Sequence, residues 1–126
     1  MKHICVSLGI FLLILAFCLF SANFTSDRVQ ETSAMLKAAL DARRAGDELS
    51  SLRLVRTASA HWKKYEAYFG TVLRHAEIDD ILGEFARLEA FARGEDQDEF
   101  YSTCAALLTQ LEHIEQMEWP FAHNIL

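Results

Sequence analysis

The chain has 126 residues, room for about one domain, and a formal net charge of −6 from 12 Lys and Arg against 18 Asp and Glu. That balance argues against nucleic acid as a partner, because neutralising phosphates requires a basic face. With 52% apolar residues, five Gly and one Pro, the composition is neither disordered nor collagen-like.

Residues 1–23 read as an N-terminal transmembrane anchor. Ile4 to Ala22 carries no charge, and its length of roughly 28 Å at 1.5 Å per residue nearly matches the hydrocarbon thickness of a bilayer. A cleaved signal peptide would have a shorter apolar core, of about 7–15 residues, and a small-x-small cleavage site. A cut after Ala22 would place Phe20 three residues before it, and Phe17 precedes Cys18 where a lipoprotein signal needs a small residue. An uncleaved signal-anchor is therefore expected. Lys2 and the α-amino group precede the run, while Asp27 and Arg28 follow it together. This asymmetry predicts a cytoplasmic N-terminus and an extracytoplasmic domain in the cell membrane.

Residues 24–126 show helical periodicity throughout and no strand alternation. The fold class expected is all-α: one transmembrane helix, then an elongated bundle of three to four helices. The first bundle helix spans about 26–45, with Val29, Thr32, Leu36, Ala39 and Leu40 on one stripe. Ala34, Ala38 and Ala42 lie at four-residue steps that would let another helix approach. Gly46 suits the stop, and Asp47 suits the cap of the next helix. The second spans about 48–75, with a seam of Leu52, Val55, Ala58, Trp62, Tyr65, Phe69 and Leu73. Arg53, Arg56, Lys63, Lys64 and Arg74 form its other side, and Gly70 weakens it locally.

The third helix spans about 78–93 and faces inward with Ile78, Ile81, Leu82, Phe85, Leu88 and Phe91. Gly94 closes it, and Asp96 or Asp98 caps the fourth, at about 98–119. The fourth carries Phe100, Cys104, Leu107, Leu111, Ile114 and Glu118 at alternating four- and three-residue steps. Pro120 predicts its end at Trp119, leaving an apolar tail that can fold back. Cys5 and Cys18 lie in the anchor, so Cys104 has no intrachain disulfide partner in the domain. On its apolar face Cys104 reads as a small buried hydrophobe.

Candidate chemistry is sparse. The five histidines invite a metal hypothesis, yet there is no Glu-x-x-His, His-Glu-x-x-His or cysteine pair. The metal candidates are His75 and Glu77, in the run Arg74 to Asp80, and His113, in the run Glu112 to Glu118. His75 also reads as a histidine at a helix C-terminus, with Glu77 and Asp79 shaping the next helix start. No nucleophile elbow, phosphate-binding glycine loop or Ser/His/Asp set occurs. The expectation is a non-enzymatic protein with no cofactor. Trp119, Phe121, Ile125 and Leu126 are the candidate partner-binding residues, since an aromatic beside a helix-ending proline suits an anchor for a partner.

One long seam also suits a homodimer. The chain resembles a family of short, single-pass bacterial membrane proteins, the domain of unknown function family four-three-six-three. The resemblance rests on the one-pass start, His61-Trp62-Lys63-Lys64, His75-Ala76-Glu77-Ile78-Asp79, Ala86-Arg87-Leu88, Leu111-Glu112-His113-Ile114 and the terminal Asn124-Ile125-Leu126. It implies a membrane-anchored helical protein typical of Gram-positive spore formers, and it supplies no reaction, ligand or catalytic residue. Gly46-Asp47-Glu48-Leu49 departs from the family pattern, where an Asp-Trp pair is more typical. The function expected is an accessory or interaction module that presents a helical bundle to a membrane partner. The alternative is an extracytoplasmic bundle that senses a ligand or metal.

Overall fold

The computed structural model describes residues 1–72 and 74–125, with the helical backbone alone at residues 71, 72 and 117–125. Helix α1 covers Lys2–Arg44, 43 residues without a break. The apolar run and the first bundle helix are thus one element, roughly 65 Å long. No proline interrupts it, and Thr25 and Ser26, where a new helix could have been capped, lie buried within it.

At the far end Gly46 adopts φ +85. Its N–H donates to the Arg43 carbonyl (3.0 Å), and the Asp47 N–H donates to Ala42 (2.9 Å). These two bonds satisfy carbonyls that the helix end would leave open, in a geometry that favours glycine. Asp47 then caps α2 (Glu48–Lys64), accepting from the Ser50 N–H at 3.1 Å. After Tyr65 come α3 (Glu66–Val72), α4 (His75–Arg93) and α5 (Gln97–Ile125). Asp96 caps α5 by accepting from the Glu99 N–H at 3.1 Å.

Helix α1 packs on α2 and α5, and α4 packs on the same two, so α1, α2, α4 and α5 form an up-and-down four-helix bundle. Arg43 meets Gln97, whereas Ser26 and Gln30 meet Glu115, so α5 runs back along α1 towards the apolar run. The core follows the expected stripes: Val29, Leu36 and Ala39 from α1, Val55, Ala58 and Trp62 from α2, Ile81, Phe85 and Leu88 from α4, and Phe100, Cys104, Leu107 and Leu111 from α5. Each large side chain buried there stabilises the fold by about 1.5–3 kcal/mol. Outside the bundle, Ile4, Leu8, Phe11, Leu12, Leu13 and Phe17 of α1 are all exposed.

Four expectations are corrected. The helix expected at 48–75 breaks at Tyr65, whose N–H bonds to Trp62 three residues back instead of continuing the four-residue ladder. The break leaves the Tyr65 and Tyr68 rings packed against Phe24 of α1. The next helix starts at His75 instead of 78, because Arg74 is extended (ψ 140) and Glu77 lies in the favourable first turn. Helix α5 continues through Pro120 to Ile125; proline removes one backbone donor, and a helix can carry on across that gap at the loss of a bond. The alanine stripe is not the site of close approach. Ala34 and Ala38 are exposed, and the contact is made by Ala39, whose carbonyl accepts from the buried Ser51 hydroxyl at 2.9 Å.

Candidate functional site

The bundle end nearest the apolar run is built from aromatic rings and hydroxyls. Tyr68 of α3 reaches the last turn of that run. Its hydroxyl donates to the Ser21 carbonyl (2.9 Å), and its oxygen accepts from Thr25 Oγ1 (3.2 Å) and faces Ser21 Oγ at 2.6 Å. Phe24 meets Tyr68 and Tyr65 edge-on, with ring centres 4.8 and 5.7 Å away, and Phe20 follows at 6.3 Å. Such ring pairs contribute beyond the area they bury.

Arg28 sits on this aromatic group. Its guanidinium lies 5.0 Å from the Phe24 ring centre and 5.3 Å from that of Tyr65, within cation–π range. Arg28 also donates to the Tyr65 hydroxyl (3.3 Å) and pairs with Glu31 (3.2 Å). The same Glu31 oxygen stands 2.9 Å from His61 Nε2, though outside hydrogen-bond alignment. Below, Trp62 stacks on Phe69 at 4.3 Å, and its buried Nε1–H has no hydrogen-bond partner among the described residues. Stacking and complete burial hold the indole despite a cost of about 1–3 kcal/mol for that unmet donor.

Beside this cluster lies an open groove of about 570 Å³ between the α2–α3 segment and α4. Lys63, Lys64, Gly70 and His75 line it together with Glu66 and Asp79. Lys63, Lys64 and Arg74 are exposed. None of the three makes an ion pair among the described residues, whereas Arg28, Arg44, Arg56, Arg87 and Arg93 each do.

The far end is closed by a buried charge. Arg43, only 2% exposed, donates from Nη1 to the Ala92 carbonyl (2.9 Å), from Nη2 to Gly94 (3.0 Å) and from Nε to Gln97 Oε1 (3.3 Å). Its guanidinium lies 4.7 Å from the Phe100 ring centre. The cation thus caps the negative end of the α4 dipole and ties α1 to the α4–α5 turn. Sequence reasoning missed Arg43, although it stands four residues beyond Ala39 on the same stripe. It equally missed the group formed by Phe24, Arg28, Glu31 and His61, which no linear motif marks.

Three groups show displaced acidity. The Ser50 side chain and N–H that bond to Asp47 hold its carboxyl below the usual range. Glu89 is lowered chiefly by the Arg56 hydrogen bond, against the cost of burial, with help from Arg93. Burial pushes the Cys104 thiol up to about 12. It remains protonated at neutral pH, facing the Leu36 carbonyl at 3.9 Å, and is inert as a nucleophile.

The expected site residues are scattered. His75 opens α4 at the groove, so it stands at a helix N-terminus and not at the C-terminus expected; Glu77 is half-buried in the first turn, and His113 is exposed on α5. Among the described residues no group of three His, Cys, Asp or Glu side chains is placed to hold a metal. The side chains of Trp119, Phe121 and Ile125, and Leu126 as a whole, lie outside the described residues. Residues 19–125 match the family model described as Domain of unknown function (DUF4363). No curated protein and no solved structure matches the chain.

Proposed function

The chain belongs to the family Domain of unknown function (DUF4363), and from that premise we propose a single-pass, non-enzymatic accessory protein that presents its four-helix bundle to another membrane protein. The observation that carries this reading is the continuity of α1. An apolar segment with no buried residue, long enough to cross a bilayer, runs without a joint into the buried stripe of the bundle. Burying that segment in lipid satisfies it, and the bundle then stands directly on the surface. The Lys2 side is cytoplasmic and the bundle extracytoplasmic, following the charge asymmetry around the run. The C-terminal stretch of α5 returns towards the same surface and carries the partner contacts, at Trp119 and Phe121. The rival metal- or ligand-sensing role has no observation of its own in its favour.

The test is recovery of the full-length protein from native membranes after mild cross-linking, read by mass spectrometry. One membrane protein at constant stoichiometry is expected, and deletion of residues 119–126 should abolish it while helical content stays intact. Recovery of the chain alone, or only with copies of itself, would overturn the accessory role. In intact cells, Asp96→Cys should react with an impermeant thiol reagent. Labelling only after lysis would reverse the orientation.

A further inference from the structure

Tyr68 fixes where α3 stands. Its hydroxyl bonds to Ser21 and Thr25, which flank the end of the apolar run. Given the anchored reading above, on which this inference rests, α3 lies at the depth of the lipid headgroups. The aromatic group of Phe20, Phe24, Tyr65 and Tyr68 occupies that same level, where aromatic side chains are enriched because they are apolar at one end and wet at the other. On the outer side of α3 opens the groove with Lys63 and Lys64. Both lysines are exposed and, among the described residues, neither pairs with a carboxylate, Lys64 lying 5.5 Å from the Tyr65 ring centre, in a chain whose net charge is −6. Their stems are long enough to bring ammonium groups down to a phosphate layer.

We propose that the groove beside α3 is a headgroup site in which Lys63 and Lys64 hold the phosphate of an anionic glycerophospholipid from the leaflet where α1 emerges. Two features favour a lipid over free phosphate. Glu66 and Asp79 share the groove, and their repulsion acts less on the singly charged phosphodiester of a lipid than on the nearly dianionic free ion. The bilayer also supplies the lipid at the depth of the groove at high local concentration, and a leaflet that contains anionic lipid attracts lysines held at its surface. Arg74, exposed just before α4, adds to the attraction at the same end of the bundle.

The experiment uses the unmodified full-length chain in nanodiscs. One set contains phosphatidylcholine alone, and another contains about 30% phosphatidylglycerol, a typical anionic surface. A water-soluble amine-acylating reagent is applied, and the labelling of each lysine is read by mass spectrometry, with Lys37 of the far half as internal reference. With phosphatidylglycerol, Lys63 and Lys64 should label about fivefold more slowly relative to Lys37. Millimolar inorganic phosphate added to phosphatidylcholine discs should leave them unprotected. Equal labelling in both lipids would overturn the site. Protection by inorganic phosphate would make the groove a soluble-anion site and overturn the lipid assignment. A chain washed off the discs by alkaline carbonate would instead overturn the anchored reading, independently of the lysines.

Discussion

At the far end of the bundle one guanidinium, that of Arg43, gathers two backbone carbonyls and a glutamine beneath a phenylalanine ring. At the near end the work is spread over Phe24, Tyr65, Tyr68 and Arg28, joined by ring edges and hydroxyls. The first arrangement concentrates charge and must exclude water to be strong. The second is made of groups with an apolar body and a polar tip, which tolerate a boundary between two media. The difference in chemistry therefore follows the difference in surroundings: a water-facing turn needs a firm internal tie, and a turn beside an apolar run needs side chains suited to both sides.

Substitutions can break this comparison. The largest effect is expected from Arg43→Ala, which removes three hydrogen bonds from a buried cation and leaves carbonyls unmet. It should cost about 3 kcal/mol in urea unfolding followed by circular dichroism, with the detergent-solubilised chain as the sample. A loss below about 1 kcal/mol would place Arg43 among ordinary surface arginines and remove the contrast. Tyr68→Phe keeps the ring and deletes the hydroxyl, so it should cost about 1 kcal/mol by the same method. If it cost as much as Arg43→Ala, the near end would depend on a focused polar tie after all.

The smallest effect belongs to neither end. Glu89 on α4 receives Arg56 at 3.0 Å and Arg93 at 2.8 Å, and Glu89→Gln should cost about 0.5 kcal/mol, less in high salt. Its acidity is raised by folding, so this contribution is complete above the ordinary glutamate range and disappears as pH falls through the lowered value of the folded state. A pH titration of thermal stability, wild type against Glu89→Gln, should show the two curves converging in acid. Convergence on the alkaline side instead would contradict the cause assigned.

Legibility in the sequence differed between the same two ends. Gly46, Asp47 and Asp96 are local signals, since a positive φ and a cap depend on one or two neighbours, and all three act as expected. The core stripes are equally local, recurring every three or four residues, and Val55, Ala58, Trp62 and Phe69 lie where their spacing puts them. The near end depends on contacts across more than forty residues, Ser21 to Tyr68 above all. No periodicity carries that information, so spacing alone predicts one helix over 48–75 and a next start at Ile78, where the structure breaks at Tyr65 and restarts at His75. Arg43 escaped for a different reason: an arginine at the end of a helix reads as a solvated charge unless the carbonyls of another turn are known to await it.

A rod without a joint cannot turn at one end only. Helix α1 places Val29, Leu36 and Ala39 inside the bundle and leaves Gln30 and Lys37 outside. Twisting it by one residue's worth of angle, about 100°, would exchange those sets. The bundle therefore dictates the azimuth of the apolar segment: which side of residues 4–22 carries Gly9 and which carries Phe11 is decided within the bundle. A neighbour that grips the segment and rotates it applies torque to the core, and a core that resists holds that neighbour in register.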